Sequence, residues 1–224
     1  MSLYVYCLME NSELSTPCVP GIQDRIPHFI KVEEFLVLAC DFSGSDLQPT
    51  KEMVLAHERV VESFLDTSTL LPFRFGSVVS EAGLREFIQA NAATLGADLD
   101  KVRGCVEMGL KVMSPAGSTS ISDVEAAERP GTTFLKAKLG LLQVQKEVAG
   151  WVGAAVAGIV RQSDVSMISG AGQPIVRIAH LVLRYHLDEY KSHIDTLVQQ
   201  RTDCGFLRSG PWPPYSFIST PRVG

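Results

Sequence analysis

The chain has 224 residues, enough for one large domain or two small ones that each bury a hydrophobic core. Hydrophobic residues make up 46% of the sequence and charged residues 20%, which is typical of a folded protein rather than a disordered one. The formal net charge of −5 argues against a general binder of nucleic acid or of anionic membranes, because both need a basic surface.

The cysteines are scattered without a CxxC pair, and no signal peptide is recognisable. An odd number of cysteines without metal-ligand spacing predicts reduced thiols in a cytoplasmic protein. The longest apolar run, residues 148–160, is too short and too rich in Gly and Ala for a membrane span, so no membrane association is predicted. The five cysteines are Cys7, Cys18, Cys40, Cys105 and Cys204.

The N-terminal part predicts strands followed by a helix. Residues 3–9 and 35–42 are continuous apolar runs, and the second is suited to a sheet covered on both faces. Residues 29–32 indicate a further short strand, and residues 11–21, punctuated by Ser, Pro and Gly, predict a loop. Thr50 is placed to cap a helix that runs to about residue 66.

One histidine, His57, falls on the apolar stripe of this helix. A histidine on an apolar face is more often a hydrogen-bonded core residue than a ligand, and we predict that role here. The other members of the stripe are Met53, Val54, Val60, Val61, Phe64 and Leu65.

Residues 69–76 form an apolar segment interrupted by Pro72, which predicts an edge strand or a strand entry. Arg74 stands between two phenylalanines and, if buried, needs an anionic or carbonyl partner. A structural ion pair with an internal Asp or Glu is one interpretation, and contact with an anion or a partner protein is the other. Ser80 then caps an amphipathic helix that carries Leu84, Phe87, Ile88 and Leu95.

The pattern restarts at Arg103 with a strand of period two. Apolar residues alternate here with polar or small ones, so one face of the strand is expected to be exposed to solvent. The apolar residues are Val106, Met108, Leu110 and Val112. Residues 114–131, rich in Ser, Ala, Gly and acidic side chains, predict a long exposed loop.

Residues 132–162 predict the longest helix. Its second half, residues 151–160, is small and apolar nearly all round, which indicates either close packing or an exposed surface kept for a partner. That surface would be formed by Trp151, Val152, Val156 and Ile159. The predicted stripe is Leu135, Leu139, Leu142, Val148, Val152, Val156 and Ile159.

Two strands, a helix and a closing strand follow. Residues 165–168 and 175–185 predict strands about a turn at residues 170–172. Residues 187–200 predict an amphipathic helix ended by Gly205, and the closing strand is expected at residues 206–208. The inward residues of this helix are Tyr190, Ile194, Leu197 and Val198.

The element order predicts an α+β protein of two domains. Residues 1–100 form a mixed α+β sheet-and-helix domain, and residues 101–208 have the order βαββαβ of a ferredoxin-like domain. The boundary is expected between Leu95 and Arg103. Residues 209–224 form a Pro- and aromatic-rich tail packed on the body.

The tail carries three aromatic residues among three prolines, at residues 209–217. Pro213 and Pro214 favour an extended polyproline-like path that holds Trp212, Tyr215 and Phe217 in place. The aromatics either plug a core or build a partner or ligand groove. We assign Trp212 and Tyr215 to stability first, in a tail that clamps the junction of the two domains.

No enzyme motif is complete. GxGxxG, GxxxxGK[ST], HExxH and GxSxG are all missing from the sequence. His186 and His193 are not spaced as a metal pair, and the addition of Asp188 or Glu189 predicts only a solvated helix N-terminus. No catalytic residue, cofactor or metal site is therefore predicted.

Three segments together resemble the gas vesicle protein F/L family. They are LPFRFG at residues 71–76, EMGLKV at residues 107–112 and SGPWPPYSF at residues 209–217, and the last is the specific one. His57 in its helix and GTTFL at residues 131–135 also fit the family pattern. His180, where the family pattern favours an aromatic, and the uncharged residues 151–160 depart from it.

The resemblance implies a non-enzymatic accessory protein of gas vesicle assembly. Such a protein would contact the small hydrophobic major shell protein and other gas vesicle accessory proteins, in the cytoplasm and at the vesicle. The alternatives are a small-molecule-binding regulatory module with ferredoxin-like domains and an enzyme that uses His57 or His186.

Overall fold

A computed structural model describes residues 2–10, 19–44, 47, 49–113, 130–170 and 173–219 of the chain. The chain forms two compact units. Unit 1 combines Met1–Val106 with Trp212–Gly224, and unit 2 is Glu107–Pro211. The described residues hold two antiparallel sheets and four helices, so the predicted α+β class is confirmed.

Unit 1 is built on a sheet with the order β2-β3-β1-β4, in which β5 also pairs with β1. The two central strands are buried along nearly their whole length because both faces of their apolar runs are covered. The predicted strands at residues 3–9, 29–32 and 35–42 are confirmed, and the Pro72 segment lies at the sheet edge as expected. The strands are β1 (Ser2–Glu10), β2 (His28–Val32), β3 (Phe35–Phe42), β4 (Leu70–Pro72) and β5 (Val78–Ser80).

The helices of unit 1 are α1 (Lys51–Glu62) and α2 (Glu81–Val102). Both predicted caps are confirmed, since Thr50 Oγ1 accepts the Met53 N–H at 3.3 Å and Ser80 Oγ accepts the Gly83 N–H at 3.0 Å. Helix α1 ends at Glu62 rather than near residue 66, and hydrogen-bonded turns follow it. Val54 was wrongly placed on its inward stripe, because the buried face follows the spacing of residues 56, 57, 60 and 61.

Six elements build the second sheet and its helices. The sheet has the order β7-β8-β6-β9, and its core joins side chains from β6, β8 and both helices. The predicted period-two strand from residue 105 and the helix at residues 187–200 are confirmed. The elements are β6 (Cys105–Met113), α3 (Pro130–Ala155), β7 (Val160–Gly170), β8 (Gln173–Leu183), α4 (Leu187–Gln200) and β9 (Gly205–Trp212).

The predicted end of the long helix is wrong. Helix α3 stops at Ala155, and residues 160–162 already belong to β7. Gly158 has a φ of +82°, a left-handed conformation that ends the helical path and that glycine adopts without strain. Val156 and Ile159 therefore lie in the connection, where both are buried in the core of unit 2 together with Val152 of the helix.

The predicted inward stripe of α3 is also wrong at two leucines. Leu139 and Leu142 are 64% and 52% exposed. The predicted Val148 and Val152 are buried, and with Val144, which was not predicted, they recur every four residues on one face. The sequence of this helix is apolar on several faces, so its periodicity does not identify the packed one.

The last strand extends beyond both of its predicted ends, residues 206 and 208. Gly205 does not end α4 but opens β9, and a Cβ at this position would lie 2.9 Å from Met113 Cε. Strand β9 continues to Trp212 through Pro211, which a strand at the end of the sheet order tolerates. The backbone at Pro214 has ψ 56°, far from a polyproline path, and leads into a short 3-10 turn.

Some predictions fall outside the described residues. They are most of the loop at residues 11–21 with Cys18, most of the loop at residues 114–131, and the centre of the turn at residues 170–172. Cys7, Cys40 and Cys105 are buried as expected, and Cys204 is half-buried.

Gly21 is predicted to be indispensable for the packing of unit 1. An added Cβ would lie 2.0 Å from Tyr6 Oη, and the Tyr6 side chain is fully buried and cannot move aside. We expect Gly21→Ala to lower the free energy of unfolding by roughly 1–3 kcal/mol, as overpacked core positions do. Urea denaturation measures it.

Gly96→Ala in α2 is the matched control. A Cβ there meets no atom within 4 Å, and alanine favours a helix over glycine by about 0.5–1 kcal/mol. The control should be neutral or stabilising, and a Gly21→Ala protein as stable as the wild type would contradict the packing assigned to Tyr6.

Candidate functional site: the His57 cluster

His57 of α1 lies fully buried at the centre of unit 1. Its Nδ1 is 2.9 Å from Tyr4 Oη on β1, and its Nε2 is 3.3 Å from Tyr215 Oη in the C-terminal tail. Tyr4, Tyr6, His57, Phe75 and Tyr215 are called the His57 cluster below. The prediction that His57 is a hydrogen-bonded core residue is confirmed.

The hydrogen bonds assign the tautomer of the imidazole. Tyr4 Oη accepts the Gly76 N–H at 3.2 Å, which leaves the hydroxyl hydrogen of Tyr4 available for His57 Nδ1. With Nδ1 as the acceptor, the ring proton is assigned to Nε2, which lies 3.3 Å from Tyr215 Oη. The imidazole also has a backbone hydrogen bond with Phe73. Both ring nitrogens are satisfied without a net charge.

Aromatic rings fill the space around the imidazole. Tyr6 stacks on it with ring centroids 5.6 Å apart, and Tyr4 and Phe75 meet it edge-on at 5.7 and 6.0 Å. Tyr6 Oη accepts the Ile22 N–H at 2.7 Å and lies 3.3 Å from Cys40 Sγ. The cluster therefore has apolar walls and a hydrogen-bond partner for each of these polar groups.

Burial also sets the charges of the cluster. It lowers the pKa of His57 to about 4, and it raises the pKa of Tyr4, Tyr6 and Tyr215 above their usual value. Burial and the nearby Glu62 raise the pKa of Glu58, which also hydrogen bonds with the Tyr215 hydroxyl. A neutral, enclosed histidine is suited to holding elements together rather than to acid–base catalysis.

Two of the three sequence motifs meet at this cluster. The LPFRFG segment contributes Phe75 and the backbone of Gly76, and its Phe73 N–H donates to the Tyr6 carbonyl at 2.8 Å. The tail motif contributes Tyr215. Sequence reasoning missed Tyr4 and Tyr6 as partners of His57, although two tyrosines two residues apart in an apolar strand were a signal of one shared face.

Residues 212–219 of the tail belong to unit 1, and several are anchored in it. Pro213, Pro214 and Phe217 are buried, and the Ser219 N–H donates to Asp98 Oδ2 on α2 at 2.6 Å. Trp212 is 39% exposed, so it stabilises the fold less than the fully packed tryptophan expected from the sequence would.

Arg74 is not in a structural ion pair, and that interpretation is wrong. Its side chain is exposed and has no salt bridge within the described part of the chain. The neighbouring Phe73 is buried, so the extended backbone directs Arg74 outward. Its carbonyl accepts from Ser77 Oγ at 2.8 Å, which fixes the turn that follows.

Trp151 of unit 2 is the one half-buried member of the predicted partner surface on α3. The Arg201 guanidinium stacks 4.5 Å from its ring centroid, and the Phe206 ring meets its edge at 6.1 Å. Val152, Val156 and Ile159 lie in the core, so these three residues pack inside unit 2 and do not form a partner surface.

The remaining histidines do not form a site together. His186 Nδ1 bonds Glu189 Oε2 at 2.7 Å near the start of α4, and His193 Nδ1 donates to the Ala155 carbonyl at 2.7 Å. His180, which departs from the family pattern, is buried and bonds Tyr190 Oη at 2.9 Å. Among the described residues, no three His, Cys, Asp or Glu side chains are grouped to hold a metal, and no helix has the length and hydropathy to span a membrane.

Comparison with known proteins gives one consistent result. Residues 2–219 match the family model described as gas vesicle synthesis protein GvpL/GvpF. Gas vesicle protein F2 of Halobacterium salinarum is 24% identical, over 96% of this chain and 91% of its own length. Gas vesicle protein F of a Streptomyces species is 28% identical, over 97% of this chain and all of its own length.

Two crystal structures share the fold. GvpF from Anabaena sp. PCC7120 has a TM-score of 0.82 at 17% identity, with 100% of this chain and 98% of that chain covered. GvpF from Microcystis aeruginosa has a TM-score of 0.79 at 16% identity, with 96% and 98% covered. The family resemblance drawn from the sequence motifs is confirmed.

The bond between His57 and Tyr215 is expected to stabilise unit 1. Tyr215→Phe removes only the hydroxyl and leaves buried partners without their bond, so the free energy of unfolding should fall by about 1–2 kcal/mol. Tyr185→Phe is the matched control, because Tyr185 is 76% exposed. If Tyr215→Phe and Tyr185→Phe are equally stable in urea denaturation, the hydroxyl of Tyr215 does not stabilise the His57 cluster.

Acid is expected to destabilise the fold through His57. Its pKa is about 4 in the folded protein and 6.5 when unperturbed, so the unfolded chain takes up protons first as the pH falls. The stability is fully present above pH 6.5 and is lost toward pH 4, at up to about 1.4 kcal/mol per pH unit. His180, with the same shift, adds to this slope.

His57→Gln should be less stable at neutral pH but should lose part of that slope. The exposed His28→Gln protein is the control and should keep the wild-type profile. Urea denaturation across this pH range measures both, and an unchanged slope in His57→Gln would show that the imidazole does not titrate as assigned.

Proposed function

The chain belongs to the GvpL/GvpF family of gas vesicle synthesis proteins, and from this membership we propose that it is a non-enzymatic accessory protein of gas vesicle assembly. It binds the small hydrophobic major shell protein and works with other gas vesicle accessory proteins, in the cytoplasm and at the vesicle. The observation that carries the proposal is the match over residues 2–219, which includes all three motifs.

The chemistry of the His57 cluster supports a non-catalytic role. His57 is fully buried and neutral, and it is hydrogen-bonded to the hydroxyls of Tyr4 and Tyr215. Catalytic histidines need a pKa near the working pH and access to a substrate, and His57 has neither. The cluster preserves the shape of unit 1, and the contacts with partners lie on the surface.

We further propose that the chain has the domains expected from its sequence: residues 1–100, a ferredoxin-like domain at residues 101–208, and the tail at residues 209–224. The strand order β9-β6-β8-β7 supports the ferredoxin-like assignment, because a βαββαβ unit of that class places its fourth strand beside the first and its second strand at the far edge.

The surface proposed for the shell protein includes Arg74 and Trp212 in unit 1. Both side chains are exposed, although each belongs to a motif whose other aromatic residues are mostly covered. An exposed Trp and Arg are the residue types that most often carry binding energy at interfaces. A helper for a hydrophobic subunit needs such a surface to hold the subunit and prevent its aggregation. Trp151 in unit 2 is a second candidate contact.

Capture of the major shell protein tests the proposal. Arg74→Ala and Trp212→Ala are each expected to reduce capture by the co-expressed, tagged protein about tenfold, as the loss of an interface anchor does. Arg85→Ala, at an exposed arginine of α2, is the matched control and should not change it.

The unfolding midpoint of each variant is measured alongside. If the wild type captures no shell protein, the proposed function is wrong. If Trp212→Ala loses capture and keeps its stability, the residue is a recognition element; if both fall together, its role is structural.

A further inference from the structure

Unit 2 contains a cleft that the His57 cluster does not involve. It has a volume of about 360 Å³ and lies between α4 and the strands β6 and β9. Met108, Tyr190 and Ile194 are buried and give it an apolar floor, whereas Lys191 and Arg208 stand exposed at its mouth. A space of this size accepts one large apolar side chain or a small ligand.

Strand β9, which lies beside this cleft, has one unpaired edge among the described strands, because it comes last in the sheet order. Residues 207–210 are exposed, so the outward N–H and C=O groups of this edge are available to an extended chain as far as Gly210. Pro211, which follows a cis peptide bond, has no N–H and ends the pairing edge. Residues 208–210 of the strand also line the cleft, so the open edge and the apolar floor are next to each other.

Two of the sequence motifs contribute residues to this cleft. A Cβ at Gly109 of EMGLKV would lie 2.4 Å from Ser209 Oγ of SGPWPPYSF. The glycine therefore leaves room for the Ser209 side chain beside the cleft. The His57 cluster uses neither Gly109 nor Ser209, so these motif residues serve a second place in the molecule.

The charges at the mouth favour an acidic neighbour. Arg208 pairs with Asp195, and Lys191 Nζ is 3.7 Å from Asp188 Oδ1, a carboxylate in full contact with water. Of the charged residues that line the cleft, Arg208 and Asp195 pair with each other, and Lys191 has no counter-ion in the lining. An apolar segment that carries one acidic side chain complements this surface.

We propose that β9 and its cleft bind an extended apolar segment of a partner protein by strand addition. The segment pairs with the open edge of β9, places one apolar side chain on the floor formed by Met108, Tyr190 and Ile194, and sets an acidic neighbour beside Lys191. This deepens the proposed function, on which it rests only for the identity of the partner. A small ligand would fill the floor but leave the strand edge unpaired.

A labelled peptide tests this surface without the partner. The probe is a fluorescein-labelled heptapeptide of sequence TVTLEVT, titrated with the full chain and followed by fluorescence anisotropy. Lys191→Glu should weaken its binding about tenfold, because an attraction becomes a repulsion, and Lys191→Gln should weaken it less. Lys146→Glu, the same charge change at an exposed position of α3 outside the cleft, should have no effect.

Two further measurements identify the binding mode. The same peptide with N-methyl groups on alternate amides should lose its binding, because it cannot form the strand ladder. Hydrogen exchange of the β9 amides should slow when the unmodified peptide binds. Failure of the probe to bind, or equal binding by the N-methylated peptide, overturns the proposal. Release of a wild-type dimer by Lys191→Glu also overturns it, since the occupant would then be a second copy.

Capture of the shell protein distinguishes failure of this proposal from failure of the proposed function. If the wild type captures shell protein and Lys191→Glu captures it equally well, strand addition at β9 is not how the partner binds, and the proposed function stands. If the probe binds as expected and no shell protein is captured, the surface is supported and the proposed function fails.

Discussion

Unit 1 depends on the burial of a neutral histidine. Placing an imidazole among apolar side chains is costly unless both ring nitrogens have partners. The partners come from different parts of the chain: Tyr4 lies in β1, Phe73 follows β4, and Tyr215 lies in the tail. One buried side chain therefore holds a strand, a helix, a loop and the tail at Tyr215 in one polar network.

The elements of this fold were predictable where a local pattern carries them. Apolar runs predicted β1 and β3, hydroxyl residues before apolar periodicity predicted the caps of α1 and α2, and a polar residue on an apolar face predicted the buried state of His57. Its partners were not predictable in this way. Tyr215 is 158 residues away, and no periodicity records which distant side chain closes a hydrogen bond.

The errors occurred where the local pattern is ambiguous. Residues 151–160 are small and apolar on all sides, so the pattern does not reveal that Gly158 turns the chain from α3 into β7. Leu139 and Leu142 fit an inward stripe as well as Val144 and Val148 do, and only the packing of unit 2 selects the valines. The two phenylalanines beside Arg74 suggest a buried arginine, but in extended backbone a residue between two inward side chains points outward.

The tail reaches the His57 cluster at a low cost in chain entropy because unit 2 folds between them. Fixing Tyr215 beside His57 in an unfolded chain would close a loop of 158 residues. In the folded protein β6 and β9 are neighbours in an antiparallel sheet, which places the start of β6 beside the end of β9. The approach of Ser209 to Gly109 belongs to the same pairing. Residues 105 and 212 are thereby brought together, and only the few residues from Trp212 to Tyr215 remain to be ordered. The ordering cost that remains for Tyr215 is therefore that of a short segment, and the hydrogen bond with His57 has to offset only this cost.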